Sequence, residues 1–199
     1  MPRIISFLAF LSVILAPVGC LNKVDVNKDS VSDFNCLNNK FVEKVPNLPN
    51  IISSTTNCID YKFDQKNLAY AIKLFVLEYS REFDVEESKI WSYFFGLEIE
   101  SSVYPREVQA AYDSKGNYLE GNVPVSGLAL SKDKIWVEIK TSDIYTSSLV
   151  HELVHVIIWN ENLGVHGDPD HEGSNFSGWT KKHTKFIKKL NLMLQDLNI

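Results

Sequence analysis

The residues with the clearest chemistry in this chain are His151 and His155, which enclose Glu152 in the sequence His-Glu-Leu-Val-His. On a helix, residues four positions apart lie on the same face, one turn apart. Two imidazoles placed in this way can bind one zinc ion, and a glutamate that follows the first histidine can act as general base towards a zinc-bound water. The pattern therefore predicts zinc ligands at His151 and His155 and a catalytic base at Glu152.

The segment around this motif is predicted to form an amphipathic helix. Residues 147–162 contain no Gly or Pro, and Gly164 follows as a C-cap. At about 100° per residue, the apolar residues fall in one arc, and the two histidines and the glutamate fall in the opposite sector. The arc contains Leu149, Val150, Leu153, Val154, Val156 and Ile157. One face should therefore pack in the core while the other presents the site; the alternative is an ordinary helix with surface histidines.

A catalytic zinc usually has three protein ligands and a water, so one ligand must come from outside the motif. We favour His171, because it lies sixteen residues after His155 and leaves enough chain to turn at Gly164 and return. The same loop offers other ligands, namely His166, Asp168, Asp170 and Glu172. An acidic member that is not a ligand could instead accept a hydrogen bond from a ligating imidazole.

The sequence His151-Glu152-Leu153-Val154-His155, followed by Gly167-Asp168-Pro169-Asp170-His171, resembles the zincin zinc metallopeptidases. The resemblance extends from about Gly127 to Trp179 and is greatest to small exported bacterial members with a His-bearing Gly-Asp-x-Asp loop after the helix. It implies an active-site helix beneath a small sheet, whose strand nearest the cleft binds extended peptide. The chain departs from the short metzincin spacing, which would have Gly at position 158 and His at position 161.

The mechanism that this resemblance implies is hydrolysis of a peptide bond by water that zinc and Glu152 activate. A further donor is needed for the oxyanion, and Tyr145, Trp179 and His183 are candidates by their chemistry. His183 is equally well explained as a packing residue of the last helix. The strand predicted at Ile135–Ile139 could hold the substrate backbone by strand addition.

The rest of the chain predicts an α+β fold, in which a small antiparallel or mixed sheet packs on the active-site helix with additional packing helices. Asp64 is expected to cap a helix that ends near Phe83. Further helices are predicted at residues 86–94 and 180–197. Strand-like sequence occupies residues 97–104, 108–113, 118–119, 127–130 and 135–139.

The N-terminus predicts export. Arg3 precedes the apolar residues 4–18, a stretch that is short for a bilayer span but typical of a signal peptide. It ends at Pro17-Val18-Gly19-Cys20, which resembles the lipobox of bacterial lipoproteins, with Pro17 where Leu is usual. The resemblance implies a leader at residues 1–19 and a lipidated Cys20 that anchors the chain to a bacterial membrane, facing the periplasm or the exterior. The alternatives are a secretory peptide cleaved elsewhere and an uncleaved anchor.

The chain contains three cysteines, Cys20, Cys36 and Cys58. If Cys20 carries lipid, Cys36 and Cys58 can pair, which suits an oxidising compartment; the alternative is two buried thiols. The pairing could contribute roughly 3 kcal/mol. Residues 20–57 are rich in Asn, Asp, Lys and Ser and are predicted to be a tether and irregular segment, and residues 58–199 are predicted to be the zincin-like domain.

The composition is that of a globular protein, with 45% hydrophobic and 23% charged residues in 199. The net charge of −5 and the absence of a long basic run make nucleic acid an unexpected partner. The sequence thus predicts a membrane-tethered zinc peptidase that acts on peptides or proteins. The alternative is a non-catalytic exported lipoprotein that uses a zincin-like fold as a binding or scaffold module. Glu152 favours catalysis, because a structural zinc needs no base and usually has four protein ligands.

Overall fold

The computed structural model describes residues 40–56, 62–103, 105–112, 118–163, 171 and 178–199. The predicted leader and Cys20, Cys36 and Cys58 lie outside these residues, so cleavage, lipidation and disulfide pairing stay predictions. In the described part of the chain, no helix combines the length and the apolar character that a membrane span requires.

The described residues form seven strands and four α-helices. The strands are β1 (Lys40–Lys44), β2 (Ile52–Thr56), β3 (Glu98–Ser102), β4 (Arg106–Tyr112), β5 (Tyr118–Val125), β6 (Gly127–Ser131) and β7 (Lys134–Glu138). The helices are α1 (Gln65–Phe83), α2 (Glu87–Tyr93), α3 (Leu149–Asn160) and α4 (Lys181–Asp196), with a short 3-10 helix (Ile144–Thr146) before α3. The predicted α+β class is confirmed, and the predicted helices all form within two or three residues of their expected ends.

Five strands make a mixed sheet in the order β1-β2-β3-β7-β6. The strands β2, β3 and β7 are parallel, while β1 and β6 run antiparallel to their neighbours. Within the described residues β6 is an outer strand, and it lies beside α3. The strands β4 and β5 form a separate antiparallel ribbon, and only Ser126 separates β5 from β6.

The helix α1 begins as its sequence predicts. Asp64 Oδ1 accepts hydrogen bonds from the backbone N–H groups of Lys66 and Asn67, both at 2.9 Å, which satisfies two of the donors that a helix start leaves unpaired. The apolar stripe of α1 enters the core through Leu68, Ile72, Phe75 and Tyr79. The sheet supplies Ile99, Ile135 and Val137 to the same core, and α4 supplies Phe186, Leu190 and Leu194.

The helix α3 is buried on more than its apolar side. Its predicted apolar arc lies in the core, as expected. The opposite sector, which was predicted to present the site, is buried as well: Glu152 is 3% exposed and His155 is 6% exposed. The reason is that this sector has its own neighbours: β6 approaches Glu152, and the ring of Trp179 packs 4.6 Å from that of His155. The site therefore lies inside the molecule, between the helix and the sheet edge.

The ribbon is attached to the sheet face that does not contact the main core. Arg106 Nη2 lies 2.9 Å from Glu100 Oε1, and its guanidinium lies 4.7 Å from the centre of the Trp136 ring. Trp136 in turn donates from Nε1 to Ser102 Oγ at 3.1 Å. These contacts join β4 to β3 and β7 and hold the ribbon against the sheet. The second strand of the ribbon continues into β6.

The prediction of irregular structure up to residue 57 is wrong for residues 40–56. β1 and β2 pair with each other, and β2 joins β3 in parallel, so the sheet begins before the boundary predicted at residue 58. These strands lack the alternation of apolar and polar residues that marks a strand, because polar groups are buried in β2. Thr55 Oγ1 and Ser101 Oγ lie 3.0 Å apart and hydrogen-bond to each other in place of apolar packing.

Candidate metal centre

The predicted zinc motif lies in the first two turns of α3. His151 and His155 are one turn apart, and their Nε2 atoms approach to 3.1 Å. His155 is buried and His151 is half-buried. The helix therefore directs two imidazoles to one point, as the four-residue spacing predicts.

The structure brings His171 to the same point. Its Nε2 lies 3.1 Å from that of His155 and 3.0 Å from that of His151. His171 is 8% exposed and its φ is 51°, in the left-handed region that few residues other than Gly adopt. Three ring nitrogens from two separate parts of the chain thus form a nearly equilateral triangle.

Hydrogen bonds among the three rings cannot satisfy this triangle. The Nε2 atom of a neutral imidazole is either a donor or an acceptor. Of three such atoms in mutual contact, at least two must have the same role, so at least one contact joins two donors or two acceptors. A cation at the centre removes the conflict, because it can accept all three lone pairs.

The geometry and the protonation state both fit a metal site. A tetrahedral zinc with Zn–N distances near 2.0–2.1 Å separates its nitrogens by roughly 3.3 Å, close to the observed 3.0–3.1 Å. Burial, followed by the charges of His155 and His171, holds the pKa of His151 well below its ordinary value. The neutral imidazole that this favours is the form that ligates metals.

Glu152 lies between α3 and the edge strand. Burial raises the pKa of Glu152 to about 8, although a hydrogen bond from the backbone N–H of Ala129 on β6 opposes this rise. A side chain at Gly127, also on β6, would begin only 2.3 Å from Glu152 Oε1. The carboxylate is therefore enclosed by backbone, with one donor fixing its orientation.

The start of α3 is tied to the start of β6. Ser148 Oγ donates to the carbonyl oxygen of Ser126 at 2.6 Å, and the backbone N–H of Glu138 donates to the same oxygen at 2.8 Å. The edge strand, its neighbour β7 and the first turn of the helix thus meet at one carbonyl group. This arrangement fixes the spacing between β6 and the motif.

Trp179 packs against the whole histidine cluster. Its ring centre lies 4.9 Å from that of His151, 4.6 Å from that of His155 and 4.5 Å from that of His171. Its Nε1 donates to Thr184 Oγ1 at 3.1 Å, and the side chain is 2% exposed. Because its indole is buried and its side-chain N–H is directed to α4, this arrangement favours a packing role for Trp179, and its suggested donation to an oxyanion stays a prediction.

His183, another of the suggested oxyanion donors, is held by contacts of its own. His183 Nδ1 accepts from the backbone N–H of Thr180 at 2.9 Å, its Nε2 lies 3.2 Å from the hydroxyl of Tyr79, and its ring stacks on Phe83 at 4.4 Å. These contacts support its interpretation as a packing residue between α4 and α1. Tyr145 is half-buried against the hydrophobic core.

The remaining predicted ligands, His166, Asp168, Asp170 and Glu172, lie outside the described residues. Within the described part, His151, His155 and His171 are the cluster with metal-binding geometry.

The strand suggested for substrate binding is not at an edge. β7, which occupies most of Ile135–Ile139, pairs with β3 on one side and β6 on the other. A peptide cannot add to a strand whose two sides are both paired, so that suggestion is wrong. The outer strand beside α3 is β6.

The sequence analysis did not predict Gly127 as a residue of the site, and it predicted Trp179 only as a possible oxyanion donor, not as the residue that packs on the three imidazoles. A glycine inside a strand pattern often marks a close approach of another group, and this signal could have drawn attention to Gly127. No local pattern marks Trp179, because its role depends on the approach of the segment before α4 to α3.

Comparison with known proteins does not extend this assignment, because the chain matches no protein family, no curated protein and no solved structure.

Proposed function

We propose that this chain is a zinc-dependent peptidase with a zincin-like site. The observation that carries the proposal is the convergence of three Nε2 atoms within 3.1 Å of one another, two of them from a His-Glu-x-x-His helix. Three imidazoles are the ligand number of a catalytic rather than a structural zinc. The buried Glu152 in the same helix provides the base that hydrolysis needs.

In this proposal His151, His155 and His171 hold the metal through Nε2. Zinc, when bound, acts as a Lewis acid that activates water and polarises a peptide carbonyl. Trp179 covers one side of the three imidazoles and keeps their rings in place. The neutral state of His151 removes the need to displace a proton before the metal binds.

Glu152 is the proposed general base and acid. It takes a proton from the attacking water and delivers it to the leaving amine. Burial raises the pKa of Glu152 in the metal-free chain, and the positive charge of a bound zinc would lower it again, so that the carboxylate is ionised and able to accept a proton near neutral pH. The N–H of Ala129 keeps the carboxylate oriented between the two transfers.

The outer edge of β6 is the proposed substrate strand. In the described part of the chain β6 has a partner on one side, β7, and an open strand edge can pair with the backbone of an extended peptide. The same strand holds Glu152 through Ala129. A peptide on this edge would therefore bind to the strand that orients the base, as the resemblance to zincins implies.

We further propose that the peptidase is exported and anchored to a bacterial membrane through a lipidated Cys20, with Cys36 and Cys58 paired. The support is the N-terminal sequence, which resembles a signal peptide and lipobox. The substrates are then peptides or proteins outside the cytoplasm.

Metal content tests the site. The full chain, purified in detergent, is expected to contain about one zinc per chain by elemental mass spectrometry, and His171→Ala is expected to lose most of it. If both proteins contain the same amount of zinc, the third ligand is a residue other than His171. No zinc in the wild-type chain after incubation with the metal would overturn the proposal in favour of a binding module.

Hydrolysis tests the chemistry separately. With a mixed library of quenched fluorescent peptides, the zinc-loaded wild type is expected to be active. Glu152→Gln is expected to keep its zinc and lose activity, because the amide cannot accept the proton of water. A Glu152→Gln variant as active as the wild type would remove Glu152 from the reaction.

A further inference from the structure

The edge strand β6 approaches α3 unusually closely at Gly127. An ideal Cβ built on Gly127 lies 2.3 Å from Oε1 and 2.8 Å from Cδ of Glu152, and 2.2 Å from Oγ of Ser148. Contacts below about 3 Å are not tolerated between such atoms. The carboxyl group of Glu152 thus occupies the space that any side chain at position 127 would fill.

Space, rather than backbone conformation, explains this glycine. Gly96 and Gly121 have positive φ angles of 78° and 98°, with open space where a Cβ would lie. Gly127 has no positive φ, so its backbone is one that other residues adopt. An alanine there would meet no conformational penalty, only the side chains of Glu152 on α3 and of Ser148 directly before it.

Gly127 and Ala129 act on the same carboxylate. Both residues belong to β6: the Cβ direction of Gly127 points at the Glu152 carboxyl group, and the backbone N–H of Ala129 hydrogen-bonds to it. The missing side chain of Gly127 lets the strand come close, and this closeness brings the backbone N–H of Ala129 within hydrogen-bonding distance of the carboxylate.

We propose that Gly127 is a positioning residue of the catalytic site: by leaving out a side chain, it lets β6 enclose the Glu152 carboxylate and orient it through the N–H of Ala129. This inference rests on the proposed function, because it assigns a role in catalysis to the position of Glu152.

The colliding atoms predict which part of the molecule gives way in Gly127→Ala. Glu152 Oε1 and Ser148 Oγ are the ends of side chains, so both can rotate while the strand and helix stay in place. The fold and the histidine triangle should therefore survive, while the carboxylate leaves its position. A displacement of about 1 Å in a catalytic group can cost about a hundredfold in rate.

The first experiment compares Gly127→Ala with wild type in the full chain. We expect kcat to fall about a hundredfold, while KM and zinc affinity stay within about threefold. An unchanged kcat would overturn the proposal. Loss of zinc together with kcat would also overturn it, because the effect would then act through the metal site.

Gly96→Ala is the matched control. It makes the same chemical change at a glycine with positive φ and open space, so it should destabilise the protein through its backbone without moving Glu152. It is expected to keep kcat. A fall in kcat as large as that of Gly127→Ala would show that loss of stability alone explains the effect and would overturn the proposal.

The double variant Gly127→Ala/Ser148→Ala separates the two collisions. It removes the contact with Ser148 Oγ and leaves the contact with Glu152. We expect kcat to remain as low as in Gly127→Ala alone. Recovery of kcat would assign the effect to Ser148 and contradict the role given to Glu152.

A measurement without activity distinguishes failure of this inference from failure of the proposed function. In zinc-free protein that carries Ser148→Ala throughout, so that the contact with Ser148 Oγ is absent, the effect of Gly127→Ala on thermal unfolding is measured first with Glu152 present and then in the Glu152→Ala variant. We expect Gly127→Ala to lower Tm in the first and to leave it unchanged or raise it in the second, because the shorter side chain makes room for the methyl group. If Gly127→Ala changes Tm equally in both backgrounds, its methyl group does not meet Glu152, and the proposal is overturned. If the two Tm changes differ, but the chain binds zinc and hydrolyses no peptide, the contact between Gly127 and Glu152 stands and its catalytic role is overturned.

Discussion

Trp179 is the one described side chain whose ring lies within 5 Å of all three clustered imidazoles, measured between ring centres. Its indole is fixed on the other side by the hydrogen bond to Thr184. The outer shell of a metal site orients its ligands and controls the access of water, and its loss commonly costs ten- to hundredfold in metal affinity. Trp179 therefore has the position of such a residue, although it contributes no ligand atom.

Trp179→Phe is predicted to weaken zinc binding roughly ten- to hundredfold, because the smaller ring leaves the imidazoles less well packed and loses the bond to Thr184. Competition with a chromophoric chelator measures the change. Trp91→Phe on α2, half-buried at the edge of the core, is the control and should bind zinc as wild type does. Equal affinities of the two variants would show that the indole does not support the site.

At the residue scale, the sequence predicts what depends on local spacing. The approach of His151 to His155 follows from one turn of helix, and Glu152 follows with it. His171 lies outside the helix, so its approach could be predicted only from the length of chain that is available to return to the helix. The burial of Glu152 depends on the close approach of β6 at Gly127. The distance between β6 and α3 cannot be read from any spacing in the sequence.

At the element scale, α1 and α4 are joined by a charge contact at their surface edge. Lys189 Nζ on α4 lies 3.0 Å from Glu78 Oε2 on α1, and Arg81 contacts the other carboxylate oxygen at 3.0 Å. The hydrogen bond from Lys189 is the main cause that holds the pKa of Glu78 below its ordinary value, against the opposing effect of burial. The contact supports the helix that begins directly after Trp179.

Glu78→Gln removes the charge that both cationic partners contact, so it is predicted to lower the free energy of unfolding near neutral pH. The loss should be only about 1 kcal/mol, because both partners are substantially exposed and water screens the contact. Because the pKa of Glu78 is lower in the folded than in the unfolded chain, its stabilising effect is complete above the unfolded value and is lost as pH falls through the folded one. Urea unfolding at about pH 7 and about pH 3 should therefore show a difference between variant and wild type that shrinks in acid.

Glu120→Gln, on the exposed ribbon strand β5, provides the reference for loss of a carboxylate alone. A Glu78→Gln variant as stable as Glu120→Gln at neutral pH would show that the contact between α1 and α4 contributes nothing measurable.

The helix α1 was predictable because it buries a stripe with the period of a helix, formed by Leu68, Ile72 and Phe75. The strands β1 and β2 were not, because Thr55 and its neighbours satisfy their burial with hydrogen bonds instead of apolar side chains. Strand order was not predictable either, since adjacent strands in the sheet, such as β3 and β7, lie far apart in the chain.

At the scale of the whole molecule, the site joins three parts of the chain that are otherwise separate: the sheet edge through β6, the helix α3, and the segment before α4 through His171 and Trp179. In the metal-free protein these parts converge on three nitrogens whose contacts cannot all be favourable. A metal that binds them would relieve this conflict in the folded state only. Metal binding and global stability should therefore be coupled.

Zinc is accordingly predicted to stabilise the full chain against thermal unfolding. At a free zinc concentration about 1,000 times Kd, the gain is about 4 kcal/mol, which for a chain of this size corresponds to a rise in Tm of roughly 8–16 °C. Differential scanning calorimetry before and after removal of metal by a chelator measures it. His171→Ala should show only a small shift, because two imidazoles bind zinc far more weakly than three, while Glu152→Gln should keep the full shift, because Glu152 contributes no ligand. If zinc leaves the Tm of the wild type unchanged, the three histidines do not form a metal site, and their convergence must have another explanation.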